Sequence, residues 1–297
     1  MNIIEIEAGS VIHPPQNETI LTILTLVCSS IGIALSAAAL LLLFLTAILY
    51  AEWRRNYKNQ LLIQFMIARF LYTFVRYFYD IRNVLNWYIN NDAAIYFDML
   101  WMFYTETTLV FWMYTFSKQM YDSLVKVFVV ENKKLWKVSV IAWLMPALIT
   151  IALMLLFYIY HELSYNLFFF YILFVKWPML IANAVLIILA LKSVLKNNKS
   201  GAESNGRIVV VMIILIFMFC IQQVLIDSYK IMYILLLHKY SLSSHLLLTG
   251  NILSLYHCAF SIIFWVFGNA KTRRMWRCCF TELKDKKRPL SRCLSKY

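Results

Sequence analysis

Glycine and proline are scarce in this chain, with 6 and 5 among 297 residues, and charged residues make up only 14% of it. A soluble globular domain is closer to a quarter charged. The sequence also has no nucleophile elbow, no His-Glu-x-x-His, no Gly-rich phosphate loop and no acidic metal cluster. These absences argue against an enzyme, so we expect no catalytic residues, no cofactor and no bound metal.

Apolar residues make up 62% of the chain and are concentrated in blocks. Residues 21–50 contain no charge, and neither do residues 138–160. A membrane-spanning helix needs roughly 20 apolar residues. The pattern predicts an all-α membrane protein, a seven-transmembrane helix bundle followed by a short amphipathic eighth helix. The predicted spans are about 21–50, 59–88, 98–129, 136–160, 167–195, 207–237 and 245–268.

Lysine and arginine predict the orientation, because short loops that carry them stay on the cytoplasmic side. The first 20 residues contain neither, whereas the tail from Lys271 contains ten, and the first, third and fifth loops are also basic. We therefore expect a multi-pass protein of the plasma membrane. Its parts are a short extracellular N-terminus (1–20), a transmembrane domain (21–268) and a cytoplasmic amphipathic helix with a basic tail (269–297).

The net charge of +13 is mostly this orientation signal together with a basic tail beside anionic lipid, rather than a sign of nucleic-acid binding. Asn17 begins a sequon in the extracellular segment and is a predicted glycosylation site. No predicted extracellular loop contains cysteine, which argues against a disulfide framework. Cys278 and Cys279 follow a basic amphipathic stretch and are candidate palmitoylation sites, or else two unmodified thiols.

Charged residues inside the apolar blocks define the candidate site, because ionisable groups at membrane depth usually face the bundle interior or a water-filled cavity. In the second predicted helix, Arg69, Thr73, Arg76 and Asp80 fall on one stripe at about 100° per residue. The stripe predicts either the wall of an outward-open pocket or a structural face. In the structural alternative Arg76 pairs with Asp80, four residues on.

Further charges are predicted in the outer halves of other helices, namely Glu106 in the third, Lys176 in the fifth and Asp227 in the sixth. Charges of both signs near one face fit a polar ligand vestibule. They fit equally well interhelical ion pairs that only fix packing. The predicted ligand-binding residues are Arg69, Arg76, Asp80, Glu106, Lys176 and Asp227.

Several short motifs are distinctive. They are Arg55-Asn56 with Arg69 and Arg76, Trp112, Trp143-x-x-Pro146, Lys176-Trp177-Pro178, and VFGNAKTRRMWRCC at residues 266–279. In these motifs, spread over most of residues 21–280, the chain resembles secretin-like (class B and adhesion-type) seven-transmembrane G-protein-coupled receptors. The resemblance implies a divergent member of that family, one expected to lack a large extracellular domain. Asn59 stands where that family has a histidine, and Phe116 where it has a glutamate.

The resemblance implies a transmembrane signalling receptor that binds an unknown extracellular ligand and couples to a heterotrimeric G protein. The predicted G-protein contacts are Arg54, Arg55, Lys133, Lys134 and Arg207. One alternative is an orphan chemosensory-type seven-helix receptor of another class. Another is a non-signalling membrane protein, a transporter or a scaffold. A transporter would favour helices broken by glycine or proline in matching halves.

Overall fold

The computed structural model describes residues 16–84, 92–125, 135–160 and 169–197, with shorter pieces inside 220–231, 256–266 and 272–277. Within these ranges every residue except Tyr50, Asn56 and Tyr160 is helical, and no strand occurs. The all-α prediction is therefore confirmed. The elements are α1 (Gln16–Leu49), α2 (Ala51–Arg55), α3 (Tyr57–Val84), α4 (Asp92–Val125), α5 (Leu135–Ile159), a π-helical segment (Tyr171–Lys176) and α6 (Trp177–Asn197).

Four helical stretches are long and apolar enough to cross a membrane, which indicates a membrane protein. They are Leu26–Leu49, Tyr57–Phe78, Leu135–Ile159 and Tyr171–Ser193. The helix α4 is not among them, and its middle carries the polar run Thr-Glu-Thr-Thr at 105–108. The sixth and seventh predicted spans are described only in part. The count of seven, the orientation and the three chain divisions therefore stay predictions.

The helix α2 occupies a stretch that the sequence predicts to be a loop. It forms because Trp53 is buried and because the Trp53 carbonyl oxygen accepts a hydrogen bond from Asn59 Nδ2 at 2.8 Å. Asn56 has an extended backbone, and its Oδ1 accepts a hydrogen bond from the Lys58 N–H at 3.0 Å. Asn56 thus caps the start of α3, as asparagine commonly does.

The helix α4 is central, because it contacts α3, α5 and α6, while α1 packs on α3. Its Leu109, Trp112 and Met113 are almost fully buried. The Trp112 ring meets the Trp143 ring of α5 edge to face at 5.9 Å, and Trp143 Nε1 donates to Gln64 Oε1 of α3 at 3.1 Å. The outer faces of α1 and α5 expose many large apolar side chains, as expected of surfaces that lipid covers.

Phe116 and Asn59, which depart from the secretin-like pattern, both have local structural roles. Phe116 is buried and stacks on Phe65, with the ring centroids 5.5 Å apart and the planes 9° apart. A glutamate at position 116 would place a carboxylate against that ring. Asn59 makes the bond to α2 described above. These positions therefore contribute an apolar contact between α3 and α4 and a loop cap.

Residues from the C-terminal part of the chain pack back onto α1. Trp276 Nε1 donates to Thr46 Oγ1 at 3.2 Å, and the Trp276 ring lies edge-on to Tyr50 at 6.1 Å. Tyr256 donates from its hydroxyl to the Cys28 carbonyl oxygen at 3.4 Å, also on α1. The first helix therefore contacts segments from both of the last two described stretches.

Candidate functional site

Three buried charges from three parts of the chain meet at one point, here called the ion cluster (Glu106, Lys176 and Asp227). Lys176 Nζ donates to Glu106 Oε1 and to Asp227 Oδ1, each at 2.5 Å. Lys176 is 2% exposed, Glu106 5% and Asp227 0%. Because an isolated charge in a low-dielectric interior is very costly, each of these groups depends on the others to remain charged.

A π-helical turn directs Lys176 toward this cluster. In an α-helix, residues five apart lie about 140° apart around the axis. The wider turn of the π segment lets both Tyr171 and Lys176 contact α4, Tyr171 at Thr107 and Lys176 at Glu106. Pro178 comes two residues after Lys176. Proline has no N–H to donate, and its ring clashes with the carbonyl group four residues before it, so regular α-helical bonding is interrupted here. The Trp177 N–H donates to the Ile172 carbonyl oxygen, five residues back, as in a π-helix.

Aromatic and hydroxyl groups adjoin the ion cluster. The hydroxyls of Tyr171 and Thr107 are hydrogen-bonded at 2.8 Å, and Thr107 also donates to the Phe103 carbonyl oxygen at 2.7 Å. The Phe103 ring meets Tyr171 edge to face at 5.2 Å and packs on Phe157 of α5 at 5.7 Å. These contacts hold α4, α5 and the π segment together beside the ion cluster.

Replacing Tyr171 by phenylalanine removes one of these bonds and keeps the ring. Because Thr107 retains its backbone partner, we expect a loss of only about 0.5–1.5 kcal/mol in the free energy of unfolding. Thermal unfolding of the purified variant measures the effect. Tyr160→Phe, at an exposed residue, is the matched control and should leave the melting temperature unchanged. A loss of several kcal/mol for Tyr171→Phe would contradict this description.

A small cavity of about 10 Å3, room for about one water molecule, lies beside Glu106 of the ion cluster. Its lining residues are Tyr72, Val75, Arg76, Met102, Thr105 and Glu106. Arg76 is half-buried and donates from Nη1 to the Tyr72 hydroxyl at 3.0 Å. The cavity therefore has a guanidinium on the α3 side and a carboxylate of the ion cluster on the α4 side.

Arg69 belongs to a different group of contacts. It is 2% exposed and is hydrogen-bonded through Nη2 to His257 Nδ1, while its Nη1 donates to Ser261 Oγ at 3.5 Å. The Ser261 hydroxyl also donates to the His257 carbonyl oxygen at 2.6 Å. These bonds tie α3 to the stretch 256–266. Within the described ranges, no three His, Cys, Asp or Glu residues are placed to hold a metal.

The structure thus places the predicted ligand-binding residues in two groups. Glu106, Lys176 and Asp227 are in direct contact, and Arg76 shares the cavity with Glu106. Arg69 lies in the separate contact with His257 and does not line the cavity. Asp80 is within α3, but its side chain, and with it the predicted Arg76–Asp80 pair, lies outside the described part.

The other predicted sites are described only in small part. Arg54 and Arg55 lie on α2 and are exposed. Asn17 lies in α1, without a described side chain. The predicted contacts and modification sites outside the described residues are Lys133, Lys134, Arg207, Cys278 and Cys279.

Sequence reasoning missed two buried amides, one in α6 and one in the stretch 220–231. Asn183 and Gln223 are each 0% exposed, and Asn183 Nδ2 donates to Cys220 Sγ at 2.8 Å. The missed signal is chemical rather than periodic, since an amide inside an apolar run must find hydrogen-bond partners within the bundle. Such residues mark an interior polar face as clearly as a charge does.

No protein-family model and no curated protein matches this chain. Its class is therefore defined by its fold and site alone. In the residues that the structure describes, it is a helical membrane protein in which a buried three-residue ion cluster adjoins a small cavity.

Proposed function

We propose that the chain is a transmembrane signalling receptor of secretin-like type, which binds an extracellular ligand in the cavity beside the ion cluster. The observation that carries the proposal is the double role of Glu106. It lines the cavity and is also bonded to Lys176, which bonds in turn to Asp227. A ligand group that competes for Glu106 would change the contacts among three helical segments at once.

Signalling would follow from that competition. If the cluster is arranged differently in two states of the bundle, a ligand that prefers one arrangement shifts the population toward it. Small movements at a packed helix interface can then be transmitted to the other end of the helices as a helix shift. The predicted G-protein contacts Arg54 and Arg55 are exposed on α2, where a cytosolic partner is expected by the charge pattern.

The proposal predicts nucleotide exchange on a heterotrimeric G protein. Membranes from cells expressing the chain are expected to accelerate exchange over vector-only membranes for at least one G-protein class. The double variant Arg54→Ala/Arg55→Ala should remove most of that increase at unchanged surface level. Both side chains are exposed, and the variant breaks a long bond within the chain, from Arg54 Nη1 to the Ala47 carbonyl oxygen at 3.5 Å. The readout is binding of a labelled GTP analogue across a panel of G proteins.

Lys58→Ala is the matched control, because it removes one exposed charge from the same loop that is outside the predicted contact set. It should retain the increase. If Lys58→Ala lost as much of the exchange activity, the effect would come from the total charge of the loop and not from Arg54 and Arg55 in particular. Wild-type membranes that stimulate no G-protein class would contradict coupling.

A further inference from the structure

The helix α2 and the helical piece 272–277 both contact the C-terminal end of α1. Trp276 Nε1 donates to Thr46 Oγ1 at 3.2 Å, and the Trp276 ring lies 6.1 Å from the ring of Tyr50. Arg54 Nη1 of α2 donates to the Ala47 carbonyl oxygen at 3.5 Å. Because a helix rises about 1.5 Å per residue, these contacts span only about 6 Å of α1. Two segments that are far apart in sequence therefore lie at the same level of the bundle.

The piece 272–277 is amphipathic. Thr272, Met275 and Trp276 are buried and follow the i, i+3, i+4 spacing of one helical face. Arg273 and Arg274 lie on the opposite side and are exposed. The buried face fixes this piece against the bundle, so its arginines are held at a defined place on the surface.

The helix α2 divides its side chains in the same way. Trp53 is 6% exposed, whereas Arg54 and Arg55 are exposed. The two segments together present what is here called the basic surface (Arg54, Arg55, Arg273 and Arg274). Within the residues that the structure describes, none of these four arginines forms an ion pair. Their charges are therefore available to a partner outside the chain.

The basic surface begins where the apolar outer face of α1 ends. Leu45 is 41% exposed and Ile48, near the C-terminus of α1, is 67% exposed. Large apolar side chains exposed on a membrane helix are expected to be covered by lipid tails. The Arg54 guanidinium reaches back to Ala47, the residue before Ile48. Arginines that follow directly on a lipid-covered face place their charges at the depth of the lipid headgroups.

We propose that the basic surface binds the phosphate groups of an anionic lipid, and that it prefers a headgroup with several phosphates, such as that of a phosphoinositide. Guanidinium groups bind phosphate oxygens through two parallel hydrogen bonds. A headgroup with two phosphate monoesters and a diester carries about four negative charges, which matches four arginines. Glu52 is the only acidic residue of the two segments, so their net charge stays positive. The charge pattern predicts that this end of α1 faces the cytoplasmic leaflet, which is rich in anionic lipid.

The test is lipid binding to the full chain purified in detergent micelles. Native mass spectrometry during a titration with phosphatidylinositol bisphosphate gives the Kd from the fraction of protein that carries the lipid. We expect this Kd to be at least about tenfold lower than that for phosphatidylserine, because fewer charges of phosphatidylserine meet the arginines. Inorganic phosphate at the same concentration should not displace the bound lipid, because the proposed ligand is a lipid headgroup at the membrane surface.

Two double variants remove the two halves of the basic surface. Arg54→Ala/Arg55→Ala and Arg273→Ala/Arg274→Ala should each raise the Kd for phosphatidylinositol bisphosphate about 30-fold, since each basic residue near an anionic surface contributes similarly. Their melting temperatures should stay close to that of wild type, because the four side chains are exposed.

Lys137→Ala/Lys192→Ala is the matched control. It removes two exposed positive charges, at the predicted cytoplasmic ends of α5 and α6, outside the basic surface. Its Kd should stay within about twofold of wild type. Wild-type binding in either site variant, an equal loss in the control, or equal affinity for phosphatidylserine would overturn the proposal. A surface that serves only a cytosolic protein would not distinguish the two lipids.

The lipid measurement contains no G protein, so it is independent of the receptor proposal. Arg273 and Arg274 are not among the predicted G-protein contacts. Loss of lipid binding in Arg273→Ala/Arg274→Ala would therefore support the lipid site even if the chain stimulated no G protein.

Discussion

Lys176→Met is expected to leave little folded protein. Methionine matches the length of the lysine stem but leaves Glu106 and Asp227 buried without the ammonium that now contacts both. Removing one partner from a buried ion pair typically costs about 3–5 kcal/mol, and here one substitution affects two pairs. Because the whole stability of a domain is about 5–15 kcal/mol, most of it would be lost. The yield of monodisperse protein in size-exclusion chromatography and the melting temperature measure the effect.

A rescue separates loss of charge balance from loss of packing. In the triple variant Lys176→Met/Glu106→Gln/Asp227→Asn the cluster is neutral and its shape is nearly kept, so most of the stability should return. Lys118→Met, at an exposed lysine of α4, is the control for losing a lysine and should behave like wild type. A Lys176→Met variant as stable as wild type, or a triple variant no better than the single one, would show that the cluster does not determine stability.

Arg69→Ala is expected to cost about 3–5 kcal/mol in the free energy of unfolding, because it leaves a cavity and removes the bonds to His257 and Ser261. Arg76→Ala should cost less than about 1 kcal/mol, since Arg76 is half-buried at the cavity wall. For Arg76→Ala we expect normal surface expression with loss of any response to ligand. Chemical unfolding and surface labelling of the two variants measure the difference.

Arg69→Met separates the free energy lost through the cavity from the free energy lost through the hydrogen bonds. Methionine restores much of the lost volume but none of the hydrogen bonds, so it should fall between wild type and Arg69→Ala. If Arg69→Ala and Arg76→Ala proved equally stable, the division of the two arginines between a structural contact and the cavity wall would be wrong.

The helices α1, α3, α5 and α6 were predictable from the sequence because they are long and apolar, and such runs have few alternatives to a spanning helix. The short helix α2 was not, because it depends on the burial of Trp53 beneath a polar stretch. The π segment was not either. Pro178 after a run of large apolar residues indicates that regular α-helical bonding is interrupted nearby. It does not indicate whether the result is a kink, a 3₁₀ turn or a π-helical segment.

The sequence predicted which residues belong to the candidate site, but not which of them contact one another. Periodicity places Arg69 and Arg76 on one face of α3. Seven residues of helix, however, separate them by about 10 Å along the axis. At these two levels different segments pack against α3. Arg69 therefore meets His257, and Arg76 meets Tyr72 and the cavity. Glu106, Lys176 and Asp227 were expected near one another. Which of them pair depends on helix packing, which a single sequence does not contain.

The contacts of α1 and α3 with the C-terminal part of the chain bear on the order in which the protein can assemble. Thr46 and Trp276 are separated by 230 residues, Cys28 and Tyr256 by 228, and Arg69 and Ser261 by 192. Contacts this distant in sequence close late, since the intervening chain must first be synthesised and ordered. During synthesis the polar groups of α1 and α3 therefore lie in the membrane without these partners until the C-terminal residues have been made. A ribosome that stops before residue 256 would therefore release a chain whose Arg69 has neither His257 nor Ser261 to contact.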